Sequence, residues 1–271
     1  MEKIAIIGNG KIGKQHALAF ESAGAEVAKI FRSSDTLDFT GIDRIVVATP
    51  EDQLLKVMRE IPEEIPTLYE KPLFNTFSEY LDFDNTASDL RKKNTHIAFN
   101  RRHYQSVNKL KSMIQRPFLL DASFSDNYHL PNPAYRVTCH WVDMIGYLIG
   151  YQKLLEFKTK SSSEYHLSLY HEDNVLLTFI PDSSRHHSVR LKTPKGEYQL
   201  QPLESCFKIK MGVMKGKHTN SYIIQREMMA CDHDTIKDGF VEQAKWFLNT
   251  TPEKNLWAIF SLIEKIHRHF T

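Results

Sequence analysis

Residues 3–17 of the chain, KIAIIGNGKIGKQHA, decide the fold that the sequence predicts. The apolar run at 3–7 ends in a glycine, which is typical of a buried parallel strand. The next six residues, Gly8-Asn9-Gly10-Lys11-Ile12-Gly13, fit the pattern G-x-G-x-x-G, and helical spacing of apolar residues continues to residue 23. Such glycines allow a tight turn, close approach of a pyrophosphate, and close packing of helix on strand. Because a strand precedes the loop and a helix follows it, we favour a dinucleotide-binding turn over an ordinary glycine turn.

Length and composition limit the class of protein. The 271 residues suffice for two domains, and 41% hydrophobic with 25% charged residues is usual for a globular protein in water. The net charge is +2 and the lysines are scattered among acids, which argues against a nucleic-acid partner. Three widely spaced cysteines, Cys139, Cys206 and Cys231, are typical of free thiols in a reducing compartment. With no signal-peptide pattern and no apolar run long enough to span a bilayer, the sequence predicts a cytoplasmic protein without a membrane partner.

The order of predicted elements divides the chain near residue 117. Strands are predicted at 3–7, 25–31, 43–48, 66–69 and 95–99, and helices at 11–23, 51–60 and 77–93. This alternation predicts a doubly wound parallel sheet in an α/β domain over 1–117. Beyond it, strands are predicted at 118–126, 152–160, 164–171, 174–180, 187–193 and 197–203, and helices at 138–149, 235–248 and 253–269. Alternating apolar and polar residues predict a mainly antiparallel sheet in a second domain over 118–271, with the last helix free to pack back on the first domain.

The end of the second strand indicates which dinucleotide is bound. An acidic residue about 20 residues beyond the glycine loop holds the ribose of NAD. Here the segment reads Phe31-Arg32-Ser33-Ser34, and a guanidinium with hydroxyl groups suits the 2′-phosphate of NADP. Asp35 would reach the ribose if the strand ended later, and a solvated turn is the third interpretation. We expect NADP, with NAD as the alternative.

Other cofactor contacts are expected where the third and fourth strands end, because ligands of such sheets lie at the carboxyl ends of the strands. Thr49 and Pro50 follow the third strand, and Glu70-Lys71-Pro72 follows the fourth. Burial and neighbouring cations would lower the pKa of a lysine there and let it exchange a proton with a substrate hydroxyl. Pro72 makes a cis peptide bond available at this turn.

These stretches together resemble the Gfo/Idh/MocA (glucose–fructose oxidoreductase/inositol dehydrogenase) family. The matching pieces, in order, are IAIIGNGKIGKQHA, VVATP, YEKPL, IAFNRRH, CHWVDMIGYLIG and DGFVEQAKWFLNTTPEK, and they span almost the whole chain. The resemblance implies a Rossmann domain and then an α/β domain with an open, mainly antiparallel sheet. In the family that sheet often forms an oligomer interface, so a homo-oligomer is expected. It also implies hydride transfer between a nicotinamide and a sugar-like alcohol or carbonyl carbon.

The resemblance implies roles for single residues as well. Lys71 matches the family's catalytic lysine, and His140 matches its substrate-side histidine. Arg101 and Arg102 match the N-R-R stretch after the fifth strand. The sequence departs from the family at Arg136, where an aspartate often stands four residues before the histidine, and the chain is short for the family.

The stretch YRVTCHWVD at 135–143 leaves several interpretations open. In a helix, His140 and Asp143 share a face, so Asp143 either orients the imidazole or is a structural aspartate in the core. Arg136 would disfavour the charged imidazole and a protonated lysine, and would offer a fork to a carboxylate or phosphate of the substrate. The alternative is that Arg136 points into solvent. We expect substrate contacts from Arg136, Arg102 and Asp143, and from His129 in the loop DNYHLPNP.

We therefore expect an NAD(P)-dependent oxidoreductase that acts on a carbohydrate-like small molecule, and a substrate bearing an acidic group is one option. Lys71 and His140 are the expected catalytic residues. A different class of function remains open, because the missing aspartate also fits a catalytically inactive NAD(P)-binding regulator or scaffold. The retained Lys71 argues against that alternative. Reduction of a non-sugar carbonyl or an imine is a third interpretation. No convincing set of four ligands predicts a metal site.

Overall fold

The structure is a computed structural model of the chain. It describes residues 1–126, 134–150, 154–161, 164–170, 174–181, 187–215, 220–232, 236–249 and 256–268. Two compact units divide the chain, and neither is one continuous segment. Unit 1 contains Met1–His103, Asn132–Asp143 and Asp234–Thr271, and unit 2 contains Tyr104–Pro131 and Met144–His233. No single cut, at residue 117 or elsewhere, separates the units.

The described strands and helices follow in chain order. The strands are β1 (Lys3–Ile7), β2 (Glu26–Phe31), β3 (Arg44–Val47), β4 (Thr67–Tyr69), β5 (Thr95–Ile97), β6 (Leu119–Asp126), β7 (Leu154–Ser161), β8 (Glu164–Tyr170), β9 (Asn174–Pro181), β10 (His187–Thr193), β11 (Gly196–Leu200), β12 (Ser205–Lys215) and β13 (Asn220–Cys231). The α-helices are α1 (Lys11–Ser22), α2 (Glu51–Glu60), α3 (Phe77–Thr86), α4 (Asp89–Asn94), α5 (Gln105–Met113), α6 (Cys139–Ile149), α7 (Phe240–Asn249) and α8 (Leu256–His267). A 3₁₀ turn covers Asn100–His103, and a π-helical turn covers Ala134–Thr138. In the described part of the chain, no helix has both the length and the apolar character needed to cross a membrane.

Unit 1 is a doubly wound α/β unit. Among its described strands the order is β2-β1-β3-β4-β5, and all neighbouring pairs are parallel. Residues Ile4 to Ile7 of β1 are buried, as expected for a strand covered on both faces. The first helix and α7 cover the same core, in which Phe20 and Phe247 meet edge to face. The parallel sheet predicted from the sequence is confirmed.

The single helix predicted at 77–93 is wrong, because two helices with separate caps occupy it. The side chain of Thr76 accepts a hydrogen bond from the backbone N–H of Glu79 at the start of α3. Ala87 is extended, with ψ at 141°, and ends that helix. Ser88 then caps α4 by accepting from the backbone N–H of Arg91. Hydroxyl side chains satisfy N–H groups that a helix start leaves unpaired, so Ser88 favours a new helix over continuation of the old one.

Unit 2 is built on a mainly antiparallel sheet, as the sequence predicted. Among its described strands the order is β13-β12-β11-β10-β6-β9-β8-β7, and the parallel pair is β6 with β9. The long hairpin of β12 and β13 and the helix α5 were not predicted. Asp232, just after the hairpin, accepts hydrogen bonds from the backbone N–H groups of Gln105 and Ser106 and so caps α5. A cap so far away in sequence leaves no local signal.

Two further histidines, His96 and His103, are buried inside unit 1. His96 on β5 contacts Trp246 and Phe247 edge to face, with ring centroids 5.7 and 5.2 Å away. Burial, with the charges of Arg44 and Arg102, lowers the pKa of His96 to about 4. Burial and Arg102 lower the pKa of His103 to about 3. Both rings are therefore neutral in the folded chain near neutral pH.

His96 should make the chain sensitive to acid. Its pKa is about 4 when folded and 6.5 ordinarily, so the unfolded chain takes up the proton first as the pH falls. The stability from the neutral ring is fully present above about pH 6.5 and is lost as the pH falls toward 4. Between pH 7 and pH 5, we expect the unfolding free energy of the parent to fall about 2 kcal/mol further than that of His96→Gln. Urea titrations of both proteins at each pH measure the difference, and parallel curves would contradict the assignment.

Candidate active site

The glycine loop between β1 and α1 shows two of the three predicted roles, the tight turn and the close packing of the helix. Gly8 has φ at +114°, and a Cβ there would lie 2.5 Å from the carbonyl oxygen of Ala48. A Cβ on Gly13 would lie 1.9 Å from the carbonyl oxygen of Gly8, so the absence of a side chain lets α1 approach the loop. A Cβ on Gly10 would meet nothing within 4 Å. Gly8 and Gly13 are therefore needed by the protein itself, whereas Gly10 leaves open space beside the helix start.

A cavity of about 720 Å³ lies over this loop. Its lining residues come from the loop, from the end of β2, and from the β3–α2 connection. They are Ile7, Gly8, Asn9, Gly10, Lys11, Ile12, Arg32, Ser33, Asp35, Leu37, Ala48, Thr49, Pro50, Gln53, Lys56, Val57 and Glu60. The hydroxyl oxygen of Thr49 is buried and has no hydrogen-bond partner among the residues that the structure describes. Most predicted cofactor residues line the cavity, whereas Gly13, Ser34 and Glu70 do not.

The end of β2 presents charges of both signs to the cavity. Arg32, Ser33 and Asp35 line it. The carboxylate of Asp35 accepts a hydrogen bond of 2.7 Å from the backbone N–H of Arg32, and another from Ser34 Oγ. Asp35 thus closes the turn that holds Arg32. Lys56 of α2 lines the cavity together with the cations Lys11 and Arg32, and it was missed from the sequence, since a lysine in a polar helix carries no signal of its position.

Glu70 is held by a partner from α1. His16, which is 1% exposed, donates from Nε2 to Glu70 Oε1 over 2.8 Å, and its ring stacks on Phe240 at 4.5 Å. Burial alone would raise the pKa of Glu70, but the hydrogen bond and charge of His16, with Lys237 and Lys71, outweigh it and lower that pKa. A charged Glu70 is therefore fixed directly before Lys71.

Lys71 follows β4 at the edge of the sheet that carries the glycine loop. Its Nζ donates a hydrogen bond of 3.3 Å to the backbone carbonyl of Arg136. The Lys71–Pro72 peptide bond is cis. Because β4 is the neighbour of β3, Lys71 lies one strand away from Thr49 and Pro50. The structure thus brings the lysine and the stretch before His140 together, as the predicted site requires.

His140, in the first turn of α6, is 7% exposed. Burial is the main reason that its pKa lies well below the usual value, and Lys71, Arg101 and Lys237 lower it further. Its Nδ1 is buried and forms no hydrogen bond with the described part of the chain. The ring is therefore neutral near neutral pH. Arg136 was predicted to disfavour the charged ring, but the cations that lower the pKa of His140 are Lys71, Arg101 and Lys237.

The guanidinium of Arg136 is bound elsewhere. It lies 2.9 Å from Glu51 Oε1, and both side chains are about one-third exposed. This position differs from both alternatives drawn from the sequence, since Arg136 neither stands free beside His140 nor points into solvent alone. Glu51 is the first residue of α2 and follows Thr49 and Pro50 of the cavity.

Arg102 and Asp143 form a buried ion pair. Arg102 Nε lies 2.9 Å from Asp143 Oδ2, and its second nitrogen lies 2.5 Å from Oδ1. Asp143 has no exposed surface. A fully buried carboxylate held at both oxygens fits the structural alternative for Asp143. The neighbouring Arg101 stacks on Trp141, 3.4 Å from the ring centroid. His129 lies outside the described residues.

Lys237 belongs to this site, although the sequence did not indicate it. Its backbone N–H donates to Gln15 Oε1 over 2.8 Å, between residues 222 positions apart in the chain. Its Nζ lies 4.8 Å from the centre of the Phe240 ring, the ring that stacks on His16. Burial lowers the pKa of Lys237, and the charges of Lys71 and Arg101 act in the same direction. No local pattern could reveal this lysine, because only the tertiary fold brings it here.

Solved structures with the same fold extend over nearly the whole chain. UDP-N-acetylglucosamine 3-dehydrogenase from Acidithiobacillus ferrooxidans is 13% identical, with a TM-score of 0.71 and 99% of each chain covered. A Gfo/Idh/MocA family oxidoreductase from Vibrio cholerae is 14% identical, with a TM-score of 0.73, covering 99% of this chain and 98% of its own. A myo-inositol dehydrogenase from Corynebacterium glutamicum is 14% identical, with a TM-score of 0.66 and coverage of 99% and 95%. No protein-family model matches the sequence, and neither does a curated protein sequence. At these identities the likeness is one of fold, and in its fold the resemblance to the Gfo/Idh/MocA family is confirmed.

Two glycine variants test the roles assigned to the loop. Gly13→Ala places a methyl group against the Gly8 carbonyl, so we expect it to lower the unfolding free energy by about 3 kcal/mol or more. Gly10→Ala is the matched control, because Gly10 has φ at −79° and open space around it. We expect a loss of about 1 kcal/mol or less for that variant. Urea denaturation followed by circular dichroism compares them, and equal losses would show that the close approach at Gly13 is not limiting.

Proposed function

We propose that the chain is an NAD(P)-dependent oxidoreductase that transfers hydride between a nicotinamide and a carbon of a sugar or sugar-derived alcohol or carbonyl. The observation that carries the proposal is Lys71, whose Nζ is held by the Arg136 carbonyl one strand away from the cavity over the glycine loop. A buried neutral histidine, His140, accompanies it. A dehydrogenase needs this pairing of a proton-exchanging group with a dinucleotide cradle.

The cradle fits a dinucleotide. Gly10 leaves room for a pyrophosphate beside the N–H groups at the start of α1. The buried hydroxyl of Thr49, which has no partner among the described residues, could hydrogen-bond a ligand in the cavity. A bound nicotinamide would supply the hydride chemistry. Arg32 and Lys56, which both line the cavity, support the preference for NADP, since the Asp35 carboxylate is engaged by the backbone N–H of Arg32.

The protein's own part of the reaction is proton transfer. In the oxidative direction the substrate carbon gives up hydride, its hydroxyl gives up a proton to the uncharged amine of Lys71, and a C=O bond forms. In the reverse direction the ammonium returns that proton to the carbonyl oxygen. The neutral ring of His140 hydrogen-bonds the reacting oxygen and orients it. Glu70, fixed by His16, holds the turn from which Lys71 projects.

The charge around His140 supports a substrate with an acidic group. Lys71, Arg101 and Lys237 all act on this ring. The nearby carboxylates are engaged, Glu70 by His16 and Asp143 by Arg102. Positive charge gathered in a partly buried site favours an anion such as a carboxylate or a phosphate. The names of the two dehydrogenases above, which refer to a nucleotide sugar and a polyol, agree with a carbohydrate-like substrate.

Assembly into a homo-oligomer through the sheet of unit 2 belongs to the same proposal. Ile224 and Met228 on β13 are 68% and 59% exposed in the single chain. Exposed apolar side chains on an edge strand are usually covered by a partner.

Replacing Lys71 tests the reaction. Because Lys71→Met keeps the length of the side chain but removes its proton chemistry, we expect kcat to fall about 100-fold or more while the Kd for NADPH stays within about threefold. The assay uses UDP-N-acetylglucosamine, myo-inositol and glucuronate with NADP, and their keto forms with NADPH. Full activity of Lys71→Met would refute its role. Tight NADPH binding by a parent protein that turns over no substrate would favour the inactive regulator instead.

Replacing Arg32 tests the cofactor. Loss of a charge-assisted contact to the 2′-phosphate should raise the Kd for NADPH about tenfold or more. The Kd for NADH should change less than about threefold. Arg59→Ala is the control, since Arg59 is an exposed arginine of α2 that does not line the cavity. Nucleotide titrations by fluorescence give the two constants for each of the parent, Arg32→Ala and Arg59→Ala, and equal effects of Arg32→Ala on both nucleotides would remove the preference for NADP.

A further inference from the structure

Arg136 touches the site through two different groups. Its carbonyl oxygen accepts the hydrogen bond from Lys71 Nζ, at 3.3 Å. Its guanidinium lies 2.9 Å from the carboxylate of Glu51. Both groups project from the π-helical turn Ala134–Thr138, which runs directly into α6 and His140. Arg136 therefore connects Glu51 at the start of α2, through its guanidinium, with Lys71, through its carbonyl oxygen.

The Glu51 end of this link is well anchored. Glu51 and Asp52 stand in the first turn of α2, where the partial positive charge of a helix start stabilises carboxylates. The same helix start follows Thr49 and Pro50, which line the cavity. The other end is the π-helical turn Ala134–Thr138, in which Tyr135 and Thr138 are buried while the side chain of Arg136 is about one-third exposed. An ion pair from a rigid helix start to this turn fixes where the Arg136 carbonyl points.

Lys71 needs such an acceptor. Its long side chain has many rotamers, and proton transfer requires the nitrogen within hydrogen-bond reach of the reacting oxygen. An ammonium has three N–H groups, so one bond to the Arg136 carbonyl leaves the others for substrate. A direct role of Arg136 in binding an acidic group would instead require the substrate to displace Glu51.

We propose that Arg136 is a positioning residue, whose ion pair with Glu51 holds the turn Ala134–Thr138 so that its carbonyl fixes Lys71 Nζ for proton exchange. The reaction itself rests on the function proposed above, but the geometry does not. Breaking the ion pair should leave the fold intact, because pairs this exposed contribute little to stability. Its loss therefore reports on Lys71 rather than on folding.

Two single variants with opposite changes of charge separate positioning from electrostatics. Arg136→Gln removes a positive charge near Lys71, and Glu51→Gln removes a negative one. A purely electrostatic effect on Lys71 would have opposite signs in the two variants. Loss of positioning has the same sign in both. The double variant Glu51→Arg/Arg136→Glu re-forms the pair with its charges exchanged.

The first measurement needs no turnover. The full-length proteins are treated briefly with acetic anhydride, and acetylation of Lys71 is followed by mass spectrometry, with the exposed Lys245 as internal reference. We expect acetylation of Lys71 to speed up several-fold in both single variants and to return to within about twofold of the parent in the double variant. Equal rates in all four proteins, or opposite changes in the single variants, would overturn the proposal. A parent protein without turnover leaves this result readable, so the two proposals fail separately.

The second measurement uses the best substrate of the panel above. We expect kcat to fall about tenfold in both single variants, with KM within about threefold and unchanged thermal midpoints. The double variant should recover most of kcat. A rise in KM of Arg136→Gln with kcat unchanged, and with no recovery in the double variant, would assign Arg136 to substrate binding and overturn the positioning role.

Discussion

The close approach of Gly13 in α1 to the carbonyl group of Gly8 is the constraint on which unit 1 depends. A Cβ on Gly13 would overlap the Gly8 carbonyl, so the helix can lie where it does only because that atom is absent. The position of α1 then determines where His16 lies, and His16 binds Glu70 at the end of another strand. Glu70 in turn precedes Lys71. The absence of a Cβ at Gly13 and the position of Lys71 are thus connected through α1 and the hydrogen bond from His16 to Glu70.

The electrostatics of the site follow from its burial. Burial keeps His140 neutral and lowers the pKa of Lys237, because charged forms lose their hydration. Glu70 shows the opposite outcome, since His16 and nearby lysines compensate for its lost hydration and keep it charged. The site therefore combines a fixed anion behind Lys71 with cations around a neutral ring. This arrangement suits hydride chemistry, in which charge on the substrate oxygen changes during the reaction.

Features encoded in short stretches could be predicted from the sequence. The first strand, the glycine loop, the turn at Lys71 and the helix of His140 each carry a local pattern, and the structure places them as expected. The break between α3 and α4 was missed because the cap of Ser88 competes with apolar spacing that continues past it. The hairpin of β12 and β13 was also missed, although apolar and polar residues alternate from Phe207 to Met211 in β12.

Residues defined by distant partners were beyond the sequence. Lys237 enters the site through Gln15 and Phe240, and Glu51 matters only through Arg136. Neither Lys237 nor Glu51 belongs to a sequence motif that would mark it as a functional residue. The ion pair of Arg136 was missed for the same reason, because its partner Glu51 lies at the start of α2, far from Arg136 in the sequence. Long-range ion pairs are set by the tertiary fold, which local spacing does not encode.

The interleaving of the two units has a consequence for how the protein is made. The core around Ile4 and Ile6 includes Phe240, Ala244 and Phe247 of α7. The first strand leaves the ribosome long before the side chains of α7 that complete its core are synthesised. Until then the parallel sheet exposes apolar surface on a nascent chain, where chaperones and aggregation compete for it. Premature termination before residue 240 would release a chain that contains the glycine loop but lacks the side chains of α7 that complete its core.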